Sequence, residues 1–316
     1  MAIIKKNGII VLMSKIQKAI IPIAGYGTRL FPATKAVPKA LFPIIDKDGF
    51  AKPIIQLIIE EALSTGVKEV CLVAQPHQVE LITDYFSGDI PTAIREKPEF
   101  AVQVDSLTEI GKRLQFAIQS EPQGFGHAIY CAKDFATDDP VMILLGDHLY
   151  ISETEVTCAK QLVDVYEQVG RSVTSLDVCD ESELSLNGIV QGEVSDDNPS
   201  LFKLARISEK PSVDFAREHM QVEGIWDARK THKYLCHFGI DLLTSLLFDI
   251  LDYNYRNKIL THGEIQLRDA MSEMVRQEGM YGFCVAGNRY DTGNPQELLT
   301  TTYAFGLHGP YRDTLI

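Results

Sequence analysis

The first clear apolar run of the chain is Lys18-Ala19-Ile20-Ile21-Pro22-Ile23-Ala24, which leads into a glycine loop. A short run that is apolar on both faces predicts a buried parallel strand. Residues 53–63 (Pro-Ile-Ile-Gln-Leu-Ile-Ile-Glu-Glu-Ala-Leu) then place apolar positions three and four apart, with Pro53 suited to a first turn and Gly66 just past the end. That pattern predicts a helix. Glu69–Ala74 reads as the next strand and closes a βαβ unit. Further strands are predicted at 141–145, 172–178, 234–240 and 281–286, and helices at 245–251 and 265–278.

Strands alternating with helices predict an α/β fold: a Rossmann-like mixed, mainly parallel sheet flanked by helices, with ligands at the carboxyl ends of its strands. No internal repeat, low-complexity tract or Ser/Gly linker divides the chain. Residues 1–17 read as an N-terminal extension, 18–306 as a single domain and 307–316 as a C-terminal tail. The stretches 196–200 and 212–233 read as loops or insertions. Ile9–Met13 after Lys5 and Lys6 faintly resembles a secretory signal, but the apolar core is too short and no small-residue cleavage site follows. Met1 and Met13 stay open as alternative starts.

Composition narrows the function classes. With 45% hydrophobic and 23% charged residues in 316, the chain can fill a core without a metal or disulfide staple. Its net charge of −13 argues against nucleic acid or an anionic membrane as partner. No stretch is long enough to span a bilayer. The six cysteines show no CxxC pair and no zinc spacing, so they read as reduced thiols of a cytoplasmic protein. The acidic balance also sets a condition: a phosphate site here needs deliberately placed cations or a metal ion.

The candidate chemistry begins at Ala24-Gly25-Tyr26-Gly27-Thr28-Arg29. A strand running into Gly-x-Gly is either a tight turn or a cradle of backbone amides for phosphate. Leu30 stands where a dinucleotide fingerprint needs its third glycine, and Thr28-Arg29-Leu30 does not supply the Gly-Lys-Ser/Thr of a P-loop. Arg29, Lys35 and Lys39 follow within a proline-rich loop, either as solvated side chains or as cations held around a triphosphate.

The pattern Gly-x-Gly-Thr-Arg-(x)6-Lys-(x)2-Pro-Lys resembles the signature of sugar nucleotidylyltransferases, and from about Lys18 to Phe305 the chain is similar to the bacterial UTP–glucose-1-phosphate uridylyltransferases. Gln119 followed by Gln123-Gly124-Phe125-Gly126-His127-Ala128 resembles that family's base-binding segment. Leu145-Gly146-Asp147-His148 and Arg289-Tyr290-Asp291-Thr292-Gly293-Asn294 resemble its two aspartate motifs, Glu209-Lys210-Pro211 its Glu-Lys-Pro, and Asn187-Gly188-Ile189-Val190 its Tyr-Gly-Val-Val. Gly263–Ala270 resembles its Glu-Ile-Gln-Leu-Thr-Asp-Ala, and reads mainly as a helix start that shapes the site.

The resemblance implies UTP and glucose 1-phosphate as substrates, Mg²⁺ on Asp147 and Asp291, and a homo-oligomer. It implies nucleotide contacts from Ala24, Gly25, Gly27, Thr28, Gln119 and Gly124, where the Gln119 amide offers a donor and an acceptor to the base. Gly188, Glu209 and Lys210 would take the sugar phosphate, and Arg29, Lys39 and Lys210 would act in catalysis. Asn187 replaces the family's usual Tyr, Ala40 its usual Glu, and 48–51 is a small insertion, which leaves the sugar less defined than the reaction class. Two alternatives share the fold: a glucose-1-phosphate thymidylyltransferase, and a non-catalytic regulatory module. An NAD-dependent oxidoreductase is disfavoured by Leu30.

Overall fold

The computed structural model describes residues 2–6, 9–226 and 231–316, with side chains from residue 14 onward. Met1 and positions 227–230 of the expected loop lie outside the described residues. Among these residues the central sheet has nine strands: β1 (Lys18–Pro22), β2 (Glu69–Ala74), β3 (Leu114–Ile118), β4 (Val141–Leu144), β5 (Val173–Cys179), β6 (Gly188–Ser195), β7 (Asn198–Glu209), β8 (Tyr234–Leu243) and β9 (Tyr281–Cys284). Their order is β5-β9-β7-β6-β8-β4-β1-β2-β3.

The sheet has two halves. In one, β4, β1, β2 and β3 run parallel, with Ile20 beside Cys71 and Ile143. Ala19, Ile20, Ile21 and all of Val70–Ala74 are fully buried, because both faces are covered and the strands can be continuously apolar. Helix α1 (Ile54–Leu63) packs on this half through Ile54, Ile55, Ile58, Ile59 and Ala62. Each buried isoleucine contributes roughly 1.5–3 kcal/mol. In the other half the pairs are antiparallel apart from β5 with β9. Strand β5 bonds β8 as well as β9, so β5, β9, β7, β6 and β8 close a ring of neighbours.

Several boundaries differ from the sequence reading for identifiable reasons. Pro53 is the last residue of a short strand, Ala51–Pro53, paired with Pro43–Ile45, so the helix opens at Ile54. The inserted Asp48 and Gly49 make the turn of this hairpin, held by buried Lys52 against Asp46 at 2.7 Å, Asp48 at 2.8 Å and Glu60 at 3.1 Å. Burial works against the Lys52 charge, but the three carboxylates outweigh it and hold its pKa well above the ordinary value. Of the stretch 196–200 expected to be loop, only 196–197 make the turn between β6 and β7, and Asn198 already opens β7. Ser212 caps a helix at Val213–His219, inside the region expected to be loop. Residues 2–6 and 9–13 pair as a hairpin, and Ile16 joins the core. Near the C-terminus Arg312–Leu315 forms a helical turn whose Leu315 lies against Gly306.

The remaining helices that frame the site are α2 (Pro76–Ser87), α3 (Ala101–Gly111), α4 (Phe125–Cys131), α5 (Cys158–Val169), α6 (Leu246–Asn257), α7 (Leu267–Gln277) and α8 (Pro295–Leu307). Helix α7 is fixed to β8 by a buried ion pair, Arg268 to Asp241 at 2.9 Å, with Thr174 donating to the other carboxylate oxygen. Removing one partner of such a pair strands the other charge. Arg268→Met should therefore cost about 3–5 kcal/mol in urea unfolding, and adding Asp241→Leu should restore most of it. Equal stability of the single variant and the wild type would contradict the pairing.

Candidate active site

The glycine loop is pinned from behind. Gln75 Nε2 donates to the Ala24 carbonyl at 2.7 Å, and Gln78 Nε2 donates to the Ile23 carbonyl at 3.2 Å. Both glutamines belong to the capped start of α2. Gly25 faces open space, with no atom within 4 Å of where a Cβ would sit. Gly27 differs: its φ is +61°, and a Cβ there would meet Thr34 Cγ2 at 2.9 Å. Only glycine takes that conformation without strain. Thr28–Leu30 then makes one tight helical turn that buries Leu30, the residue that excludes the dinucleotide fingerprint.

In front of the loop lies a cavity of about 360 Å³ whose wall includes Ala24, Gly25, Lys39, Gln119, Gly124 and Asp147. Lys39 lines this cavity as well as a smaller one behind the loop, whereas Lys35 lines only the smaller one. A larger cleft of about 700 Å³ runs between residues 85–90 and helix α3. It contains none of the expected site residues, so the chemistry belongs to the smaller cavity.

At the floor of that cavity two strand ends meet. A Cβ on Gly146 would sit 2.2 Å from the Pro22 carbonyl oxygen, so glycine alone lets the ends of β4 and β1 close together. Asp147 follows directly. The segment His148–Ser152 pairs antiparallel with Gly287–Asp291, setting His148 opposite Asp291. Thr292 completes the clasp, donating from its amide and its hydroxyl to the Asp147 carbonyl at 2.9 and 2.8 Å.

One oxygen, one nitrogen and one further oxygen of Asp147, His148 and Asp291 lie within 4.8 Å of one another. Lys39 Nζ pairs with Asp147 Oδ2 at 2.6 Å. Arg29 approaches from the loop, so close to Gly293 that a Cβ there would meet its Nη2 at 2.5 Å and Asp291 Oδ1 at 2.8 Å. Burial alone would raise the Asp291 pKa, but His148, the Gly293 amide at 2.6 Å and Arg29 outweigh it and bring it down to about 2. The carboxylate is thus ionised and ready to hold a cation. The sequence had pointed to the two aspartates and Arg29. His148, Thr292, Gln75 and Gln78 were missed as site residues, and the one local signal was a His directly after Asp147 at a strand end.

The same cavity is lined by the expected base-reading residues. Gln119, 6% exposed, follows β3, and its Nε2 lies 3.3 Å from the Gly124 carbonyl oxygen and 3.1 Å from His127 Nδ1. Gly124 has φ +107°, and a Cβ on it would meet the Ile265 carbonyl oxygen at 2.6 Å. The segment 263–266 is thus packed against the start of α4, tied by Gly126 N to Ile265 O at 2.8 Å and Ile265 N to Gln123 O at 2.9 Å.

The sugar-side candidates form an adjoining group that does not line the cavity. Gly188 and Glu209 are direct partners across β6 and β7. A Cβ on Gly188 would lie 2.9 Å from Glu209 Oε2 and 3.0 Å from His237 Cδ2. Lys210 is exposed with φ +44°, its Nζ 3.9 Å from Glu209 Oε1. Arg289 joins the two groups: it donates to the His237 carbonyl at 2.8 Å and to Asn187 Oδ1 at 3.3 Å, two residues before Asp291 on its own strand. Asn187, in place of the expected Tyr, is therefore committed to Arg289.

Residues 18–305 match the nucleotidyl transferase family over their whole length. The chain belongs to that family. This nucleotidyl transferase is 33% identical over 302 residues to the UTP–glucose-1-phosphate uridylyltransferase of Staphylococcus epidermidis, covering 94% of this chain and 95% of that protein. It is 34% identical over 300 residues to UTP–glucose-1-phosphate uridylyltransferase 1 of Staphylococcus saprophyticus, again covering 94% and 95%. Among solved structures, a UDP-glucose pyrophosphorylase complexed with UDP-glucose superposes with a TM-score of 0.74 at 27% identity, covering 92% of this chain and 98% of that one. The UTP-bound enzyme of Acinetobacter baumannii, at 23% identity, shares the fold with a TM-score of 0.75 over 95% of this chain and 97% of that one.

If the Arg29–Gly293–Asp291 contact positions the nucleotidyl transferase's reacting groups, Gly293→Ala should lower turnover roughly tenfold or more. Its thermal midpoint should stay within about 2 °C, since the displaced atoms are the ends of two side chains, Arg29 and Asp291, and not backbone. Unchanged turnover would show that this contact does not matter.

Proposed function

We propose that this nucleotidyl transferase moves the uridylyl group of UTP to glucose 1-phosphate, giving UDP-glucose and pyrophosphate. The observation that carries the reading is the shared cavity wall, which holds Gln119 and Gly124, Gly25, and the Lys39–Asp147 pair together. A base reader and an anion-handling centre then face one nucleotide. The names of the relatives add the substrate pair, and the same reading makes the protein a cytoplasmic homo-oligomer.

Asp147 and Asp291, with His148 beside them, fit Mg²⁺, which takes few protein oxygens and completes its shell from phosphate and water. When bound, the ion supplies positive charge to the phosphate oxygens. The rest falls to side chains and backbone. Amides of Gly25, Gly27 and Thr28 hold the triphosphate, and Gln119 holds the base. Glu209 and the backbone of Gly188 hold sugar hydroxyls, with Lys210 on the sugar phosphate. An oxygen of glucose 1-phosphate attacks the α-phosphorus, a new P–O bond forms, and the bond to the β-phosphate oxygen breaks as pyrophosphate leaves. The nucleophile enters as an anion, so no side chain has to remove a proton. Arg29 steadies the leaving pyrophosphate and Lys39 offsets charge at the α-phosphate.

Pyrophosphate release across a matrix of UTP, dTTP, CTP and ATP with glucose 1-phosphate and other sugar phosphates checks this reading. UTP with glucose 1-phosphate should exceed every other pair by about tenfold or more in kcat/KM. A preference for dTTP would move the protein to the thymidylyltransferases, and no release with any pair would favour the regulatory alternative. Asp147→Asn should lower turnover by at least about a hundredfold with the fold retained. Lys210→Ala should raise KM for glucose 1-phosphate and leave that for UTP unchanged; an effect confined to UTP would contradict its assignment.

A further inference from the structure

The Gln119 amide looks, from sequence, like a donor and an acceptor offered together to a base. Its surroundings leave it half of that. The Gly124 carbonyl oxygen, 3.3 Å away, can only accept, so the side of the amide turned toward it is the NH₂ group. The same nitrogen lies 3.1 Å from His127 Nδ1. For that contact to be a hydrogen bond, Nδ1 has to accept and the ring proton has to sit on Nε2, near Cys131 Sγ at 3.8 Å. Both amide hydrogens are then used within the protein. Oε1 is left as the free polar atom of a side chain that lines the nucleotide cavity.

His127 is itself held firmly. Its ring stacks on Tyr255 of α6 with centroids 5.6 Å apart and 14° between the planes, and Tyr255 stacks in turn on Tyr130 at 5.0 Å. Tyr130 donates to Asp252 at 2.7 Å, closing the stack against α6. Burial pushes the His127 pKa below its ordinary value, against the pull of the Glu121 carbonyl and carboxylate, so the ring is neutral and able to accept.

We infer that His127 is a positioning residue that sets the pyrimidine preference of the site, by locking Gln119 with its oxygen toward the base. The inference rests on the proposed base-reading role of Gln119. A fixed acceptor matches the N3–H of uracil or thymine and opposes the N3 lone pair of cytosine. With the His127 acceptor removed, only the longer contact to the Gly124 carbonyl at 3.3 Å still favours this orientation, so the amide turns over more readily and can offer its NH₂ group to either base. A site that discriminates by one buried polar contact loses selectivity when that contact can invert.

The test compares kcat/KM for UTP and CTP, each with glucose 1-phosphate, in the wild type, His127→Phe and His127→Asn. Phenylalanine keeps the stack on Tyr255 but has no acceptor, whereas asparagine can place Oδ1 close to the position of Nδ1. His127→Phe should lower the UTP-to-CTP ratio about tenfold or more, mainly through KM for UTP, and His127→Asn should recover most of it. A ratio unchanged in His127→Phe, or a loss shared equally by UTP and CTP in both variants, would overturn the inference. A wild type with no preference for UTP over CTP would overturn the functional reading and this inference with it. A wild-type preference that survives His127→Phe overturns the inference alone. Nitrogen-15 NMR of the histidines reads the tautomer directly in the unaltered protein: His127 with its proton on Nε2 supports the lock, and a proton on Nδ1 overturns it.

Discussion

The close approach of Gly146 to the Pro22 carbonyl is the constraint on which the site depends. Neither strand end could reach the other if position 146 carried a side chain, because a Cβ would stand 2.2 Å from a backbone oxygen. With that contact made, the loop after β1 and the aspartate after β4 open on one cavity. The glycine loop is then supported by Gln75 and Gln78, and Asp147 by the double hydrogen bond from Thr292. A strand-end geometry has become a place where a triphosphate and a cation can meet.

Charge follows from the same geometry. The chain carries a net −13, so a site for several phosphates works against the field of the whole molecule. Of the two cations from the loop pinned beside β1, Lys39 lines the cavity and Arg29 stands beside Gly293, and each is set against a carboxylate: Arg29 near Asp291, Lys39 on Asp147. Lys39 and Asp147 are half-buried, so their pair is screened less than a surface pair, whereas Arg29 is exposed. The sugar-side group hangs from the antiparallel ring of strands and is tied to this centre by Arg289.

The parallel half of the sheet was legible because burial on both faces forces continuous apolar runs such as Val70–Ala74. The hairpin of β6 and β7 was not: one side is exposed, and Glu193, Lys203 and Arg206 break the pattern. The sequence predicts a strand over 234–240, yet β8 runs on through Asp241 to Leu243, since Arg268 neutralises that buried charge. The helix expected from Ile265 begins at Leu267, because the backbone of Ile265 is bound to Gln123 and Gly126 instead. At the site, the glycine loop and both aspartates stood out as local motifs. The roles of His148, Thr292 and Gln75 exist only through contacts between segments distant in sequence, which no local pattern carries.

The central claim is that one nucleotide spans the cavity from Gln119 to the glycine loop. A crystal structure of the protein with UTP tests it most directly. The account predicts the uracil N3–H on Gln119 Oε1 and the triphosphate along the amides of Gly25, Gly27 and Thr28. A nucleotide seated instead in the larger cleft between residues 85–90 and helix α3, or bound with its base away from Gln119, would contradict it.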